Sequence, residues 1–541
     1  MYEHRKKRRL NKVLGGAALG SLGAAAIGAV LTFGTASAAT PPPAPTQAQQ
    51  EADAASGKAT GILPSTVSVP MSGRDRVYTT DQTSNTVTVI DPATDKVLGT
   101  IALGAQRLSN VMSPQYTGDI GVHGLIYSPG HQRIAAVSVA SNSVDIIDTT
   151  TNKVISHTDV GRAPHEGWFT KDGKQFWVAD RGTDTVTIVD AVHGGVIRNL
   201  HVGAGPSKVV MSPDGKWAYI NHISLPEITV VNVATEKTVA HITGLASSFS
   251  SDLAITPDGK QLWAPHKHDN KVSVVDLVHD KVVTVLNTGP DTNHPNFAIR
   301  NGQEYAYVTV GGLNITKEYR VTTGAPEFVT DIHNTGLAPH PLWTSGDSKR
   351  LYVAHEKSDS VDVIDTATNK VIDNLPIGQE PNGLVYVPDA VPAGTTDADT
   401  QNLGTQGLHQ QGYDVPTTLP DGSSGETIDP VLGKHLEANI RPVAGLDQIE
   451  LQARALKPNT TYTASSVAAD GSKAPIVTFT TDATGGAPMV LAFSQFTGKS
   501  IALSVTGSTD RPTSSTGNDM TVGSGGAHTV TAADLYFCCC C

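Results

Sequence analysis

The chain has 541 residues, and 39 Lys and Arg against 51 Asp and Glu give it a formal net charge of −12. That acidic balance, without a basic stripe or an aromatic-basic motif, argues against a nucleic-acid partner. The four cysteines all sit at Cys538–Cys541, so no disulfide staples the body of the chain.

Residues 1–38 read as a signal peptide. The basic stretch His4-Arg5-Lys6-Lys7-Arg8-Arg9 precedes an apolar run from Val13 to Phe33, and Ala36-Ser37-Ala38 offers a cleavage site of small residues. Arg8-Arg9 resembles a twin-arginine signal, although Leu10-Asn11 follows where that signal usually has Phe-Leu. Export by the general secretory route or by the twin-arginine route both remain open. Residues 39–61, with PPPAPTQAQQ, read as a disordered tether. The mature protein is therefore expected outside the cell or at the cell envelope, as a monomer without a transmembrane span.

From residue 62 to 389 the chain repeats itself. The stretch Arg162 to Gly203 shows the unit: GWFT, a KDGK turn, FWVA leading through DRGTD into TVTIVD, then AVHGG turning into VIRNL. These are four short segments rich in Val, Ile, Thr, Phe and Trp, punctuated by Gly/Asp turns. The third segment ends in Asp or Asn at residues 91, 148, 190, 232, 276 and 365, mostly a little over forty residues apart. A degenerate unit, EYAYVTVGGLNITKEYRVTTGAPEFVTDI, fills the last, doubled interval and brings the count to seven. Four strands in a unit of this length imply a seven-bladed β-propeller. The recurring Asp residues fall at turns and are expected to cap them. PNGLVYVPD at 381–389 is one more first strand with no blade after it. It is expected to join the strands around Val77–Ile101 and close the ring, with Ser65–Met71 as a competitor for that place.

The repeats VYTTDQTSNTVTVIDPATDKV and LYVAHEKSDSVDVIDTATNKV resemble those of the YVTN-repeat propellers, the YncE-like and surface-layer family. The resemblance covers roughly Ile62 to Pro388. It speaks strongly for fold and weakly for chemistry.

Residues 390–428 read as a linker and 429–507 as a small Ig-like β-sandwich. Within it, Leu456-Lys457-Pro458-Asn459-Thr460-Thr461-Tyr462 resembles the L-x-P-x-T-x-Y stretch of fibronectin type III domains, which implies a tyrosine hydroxyl locking a corner. Residues 508–541 are a polar tail. Its four adjacent thiolates have poor geometry for one tetrahedral ion, and no function is assigned to them.

Propeller geometry places the start of each first strand and the end of each second strand on one face. The starts are His123, His165, Lys208, Asp252, His294, His340 and Asn382. The ends are Asp81, Asp180, His222, His266 with His268, and His355. All are expected at one mouth of the central channel, with Glu166 and Glu356 orienting the rings of His165 and His355. Asp81, Asp180, Lys208, Asp252 and Asn382 are candidate ligand-binding residues. The eight histidines 123, 165, 222, 266, 268, 294, 340 and 355 are candidate metal ligands, because neutral imidazoles converging from several blades suit a transition metal or an anionic ligand. A hydrated channel with no ligand is the bland alternative. His131, His157, His193, His201, His241, His279 and His333 read as ordinary surface residues.

The expected function is a ligand-binding or protein-interaction module, with catalysis left open. The alternative is a metal-dependent redox enzyme. The His-lined mouth resembles the copper centre of nitrous oxide reductase propellers, which makes copper the implied metal, but their paired His-His motif is missing. No C-x-x-C-H, G-x-S-x-G or P-loop motif supports a haem, hydrolase or nucleotide reading.

Overall fold

Each repeat starts on a strand that buries most of its side chains and ends on one that buries few. Val122–Ser128 and Pro381–Val387 are buried throughout, whereas Val196–His201 is almost wholly exposed. That gradient is what a blade requires when its first strand faces a central axis and its fourth faces water. The computed structural model describes residues 69–105, 118–393 and 400–506, apart from 430, 432 and 444. The expected signal peptide, tether and cysteine-bearing tail lie outside these residues.

Seven four-stranded antiparallel sheets follow one another along the chain. Six take their strands in sequence. Blade 2, for example, is Val122–Ser128, Arg133–Ser138, Ser143–Asp148 and Lys153–Asp159. Blade 1 is composite: Pro381–Val387 lies innermost and pairs antiparallel with Arg76–Asp81, joining Val77 to Tyr386 and Thr79 to Leu384. The ring closes as its leftover first strand implied, and Val69 instead bonds the Gly346 carbonyl.

Apolar clusters fill every junction between neighbouring blades. One runs through blades 1 to 5, and smaller ones join blades 5 and 6, 6 and 7, and 7 and 1. At the junction of blades 5 and 6, Trp263 meets Phe297 edge-on at 5.8 Å, a geometry worth about 1 kcal/mol beyond area burial. The turn carboxylates do cap: Asp190 Oδ1 accepts from the backbone N–H of Val192 and His193, and Asp365 Oδ1 from those of Ala367 and Thr368.

Beyond the ring, two further four-stranded sheets share one apolar cluster that includes Leu436, Ile449, Tyr462, Phe479 and Leu503. The Tyr462 hydroxyl accepts from the Lys457 N–H at 3.1 Å, so it locks the corner as its motif implied. The expected linker departs from a free tether. Gly404 exchanges two backbone hydrogen bonds with Thr100 on the outer strand of blade 1, and Gln406 donates to the Ser84 and Gly104 carbonyls. Tyr413–Asp414 and Thr417–Thr418 already belong to the two C-terminal sheets, so that unit begins before residue 429. The reason is the buried Val415 between them, which joins the unit's core.

The C-terminal unit docks on blades 5 to 7. Arg441 is fully buried; its Nη2 donates to the Glu356 carbonyl at 2.6 Å and to Asp359 Oδ1 at 3.1 Å. Asp359 also accepts from the N–H groups of Glu380 and Gly412. Lys357 Nζ reaches Glu437 at 2.7 Å, and Arg454 pairs with Asp291. Removing the guanidinium strands a buried carboxylate, which costs about 3–5 kcal/mol. Arg441→Ala is therefore expected to split thermal unfolding into two transitions, the C-terminal unit melting first. A single, unshifted transition would contradict this anchoring.

Candidate functional site

The first-strand starts converge as the repeat implied. His123 Nε2 lies 2.9 Å from His165 Nε2, and the rings are 4.5 Å apart. Around the ring, Lys208 Nζ sits 2.6 Å from Glu166 and also pairs with Asp252. Asp252 accepts from His294 Nδ1 at 2.8 Å, and the His294 ring meets that of His340 edge-on at 4.7 Å. Asn382 holds the corresponding place on Pro381–Val387, with its amide turned back to the Glu380 carbonyl. All seven are nearly or fully buried.

Burial governs their charge. It pushes the pKa of His123, His165 and His340 well below the ordinary imidazole value, and neighbouring cations, Arg181 first for His123 and His165, add to the effect. These three rings are neutral near pH 7. Burial alone would discharge Lys208, but Asp252 and Glu166 hold its pKa above normal. Burial would likewise raise Asp252, yet His294 and Lys208 keep it ionised, below the usual carboxylate range.

The second-strand ends do not reach the mouth, which corrects the expectation of eight converging histidines. Asp81, Asp180, His222, His266 and His355 each turn into their own blade and meet the residue seven positions on. Thr88 donates to Asp81 at 2.7 Å and Thr187 to Asp180 at 2.5 Å. His222 lies 2.9 Å from Thr229, His266 2.8 Å from Ser273 and His355 3.2 Å from Asp362. These pairs tie the second strand to the third. Glycines make room for them: a Cβ on Gly161, Gly336 or Gly378 would overlap Asp180, His355 or Asp81. His268 alone of this group stays near the mouth, stacked on Phe249 at 4.1 Å.

Strand alternation explains the error. If the last residue of a second strand points into the blade, the next must point to the channel face. Gln82, Arg181, Lys267 and Glu356 occupy those next positions. Gln82 Oε1 contacts His123 Nδ1 at 2.9 Å, Arg181 donates to Ser207 Oγ at 2.7 Å, and Lys267 and Glu356 line a cavity. A shift of one residue in the reading would have found them. Glu166 is likewise a member of the ring through Lys208, and Glu356 lines the cavity; the structure shows neither orienting the ring it was assigned.

That cavity is the feature the repeat could not show. A chamber of about 390 Å³ lies between the mouth and the C-terminal unit, with Lys267, His268, Asn293, His340 and Glu356 on one side and Glu450, Gln452 and Arg454 on the other. Two of the lining residues, His340 and Asn293, each carry a buried nitrogen without a hydrogen-bond partner, Nδ1 and Nδ2. Beside Glu166, Lys208 and His294 of the polar ring lies a smaller pocket of about 40 Å³, lined also by Trp168, Leu253, Phe297, Trp343 and Leu384.

Burial, partly offset by threonine hydroxyls, raises both Asp81 and Asp180 from 3.8 to about 7. The folded state then holds protons that the unfolded state has released. Their contribution to stability is full below about pH 4 and is lost as pH rises to about 7. Asp81→Asn with Asp180→Asn is expected to flatten that decline in chemical denaturation, and an unchanged slope would contradict the assignment.

Residues 130–391 match the family model described as a YNCE-like beta-propeller. No curated protein matches the sequence. Among solved structures, hydrazine synthase of Kuenenia stuttgartiensis is similar at 18% identity and TM-score 0.44, over 48% of this chain and 88% of that one. The periplasmic gluconolactonase PpgL of Pseudomonas aeruginosa is similar at 16% identity and TM-score 0.47, over 58% and 99%. A functionally unknown protein from Desulfotomaculum acetoxidans is similar at 13% identity and TM-score 0.49, over 58% and 99%. Across its matched residues the chain is similar to the YNCE-like β-propeller family.

Proposed function

We propose that the protein is an exported binding module that holds a small polar ligand in the chamber between the propeller mouth and the C-terminal unit. The observation that carries this reading is the pair of orphaned groups, His340 Nδ1 and Asn293 Nδ2, on residues that line a 390 Å³ cavity. Leaving a buried polar group unpaired costs about 1–3 kcal/mol. Two on residues that line one chamber favour a polar occupant, and the volume suits a small molecule. The wall offers neutral imidazoles, an amide, cations and carboxylates, a mixture that recognises hydroxylated or zwitterionic compounds rather than apolar ones. The export reading rests on the N-terminal sequence. Among the described residues no helix is long and apolar enough to cross a membrane.

The test is a thermal-shift screen of the mature protein against sugars, sugar acids and amino acids. A ligand at a hundredfold excess over its Kd stabilises by about 2.7 kcal/mol. At least one compound is expected to raise the melting temperature of the wild type and to lose that effect in His340→Leu with Asn293→Leu. No shift from any compound would overturn the reading.

A second reading, a transition-metal centre, is favoured by one further geometry. His165 Nδ1 faces the Ser207 carbonyl at 3.0 Å and His123 Nδ1 faces Gln82 Oε1, whose amide is oriented by a hydrogen bond from its Nε2 to Glu380. Both Nδ1 atoms must donate, so two Nε2 lone pairs face each other at 2.9 Å. A metal with bonds of about 2.0–2.1 Å spans such a cis pair, and Glu166 offers a third ligand. Arg181 disfavours a proton between the rings but also opposes a second cation, which places this reading second. Copper or another transition metal, bound stoichiometrically and lost in His123→Ala with His165→Ala, is the result expected of it. Metal-free wild-type protein after copper loading and desalting would exclude it.

A further inference from the structure

Blade 2 departs from the way blades 1, 3 and 7 satisfy their buried second-strand ends. In blades 1 and 3 a single carboxylate, Asp81 or Asp180, is held by hydroxyls at two successive inward positions of the third strand: Thr86 and Thr88, or Thr185 and Thr187. In blade 7 an imidazole and a carboxylate, His355 and Asp362, face each other. Blade 2 has Ser138 at the strand end. The carboxylate instead comes from the connecting loop, as Asp119, four residues before the first-strand start, where blades 1, 3 and 7 carry Gly378, Gly161 and Gly336.

The spatial equivalence is direct. Ser143, the counterpart of Thr86, donates to Asp119 Oδ1 at 2.9 Å. The next inward position, a hydroxyl donor in blades 1 and 3, is here a second carboxylate, Asp145. Asp119 and Asp145 are each 3% exposed, and Asp119 Oδ2 is buried with no hydrogen-bond partner. His157 on the outer strand closes the group, with Nδ1 at 2.8 Å from Asp145 Oδ1 and 3.8 Å from Asp119 Oδ1. Its side chain is 51% exposed, so the group opens to solvent.

We propose that Asp119, Asp145 and His157 form a divalent metal site on blade 2, separate from the channel mouth. One ligand atom from each lies within 4.8 Å of the others, a span that a single ion can bridge. Two carboxylates and one imidazole suit a first-row ion such as Zn²⁺.

The experiment is calorimetric titration of chelator-stripped mature protein with Zn²⁺, combined with thermal unfolding. The background is His123→Ala with His165→Ala, so that zinc at the mouth is not counted. One zinc equivalent is expected, lost in Asp145→Asn and weakened about tenfold or more in the half-exposed His157→Gln. In chelator, Asp145→Asn is expected to melt at or above the background protein, because no buried carboxylate pair remains. Added Zn²⁺ should then raise the background protein and leave the variant unmoved. Equal zinc stoichiometry and affinity in all three proteins, or no zinc in the background protein, overturns the proposal. A proton shared by the two carboxylates would then be the whole explanation.

Discussion

The pairing of Pro381–Val387 with Arg76–Asp81 is the constraint on which the other features rest. Those strands lie about three hundred positions apart in sequence, and joining them in one sheet fixes the seven first strands around a common axis. Residues that no local contact would bring together become neighbours. His123 meets His165 and His294 meets His340 because the blades that carry them stand side by side in a closed circle. Closure also leaves only outer strands at the rim, and the chain between residues 400 and 406 covers part of one of them.

Inside that circle the same residue types serve two ends. At the first-strand starts the rings of His123, His165 and His340 face the axis, where burial and cationic neighbours keep them neutral. An imidazole at a second-strand end turns inward and bonds a hydroxyl or carboxylate in its own sheet. The difference is one of pleat direction, since consecutive strand residues point to opposite sides. Function is therefore to be sought at the starts and at the residues just past the ends. The ends themselves hold each blade together.

The repeat made the architecture legible because its signals are local: Gly/Asp turns, β-branched runs, and an Asp or Asn at one fixed place. The leftover PNGLVYVPD even revealed how the ring closes. The site was legible only in part. The starts could be read, since a first strand must face the axis. The ends were misplaced because the sequence does not mark which of two consecutive residues, Asp180 or Arg181, looks into the channel. The chamber could not be read at all. It depends on Arg441 finding Asp359, a contact between two separately patterned regions that no periodicity announces. Blade 2 shows the converse: Asp119 and Asp145 became conspicuous only when set against Gly161 and Thr187, their counterparts in blade 3.

The C-terminal unit supplies one wall of a cavity at the mouth. With Lys357 bound to Glu437 and Arg454 to Asp291, its charges are spent largely on the interface itself. His340 and Asn293, which line the cavity, each keep a buried nitrogen without a hydrogen-bond partner. The most direct measurement is a high-resolution diffraction map of the chamber in mature protein purified without chelator. A bound ligand gives ordered density larger than water, held by His340 and Asn293. A chamber containing only water, with the two groups satisfied by it, would contradict the account.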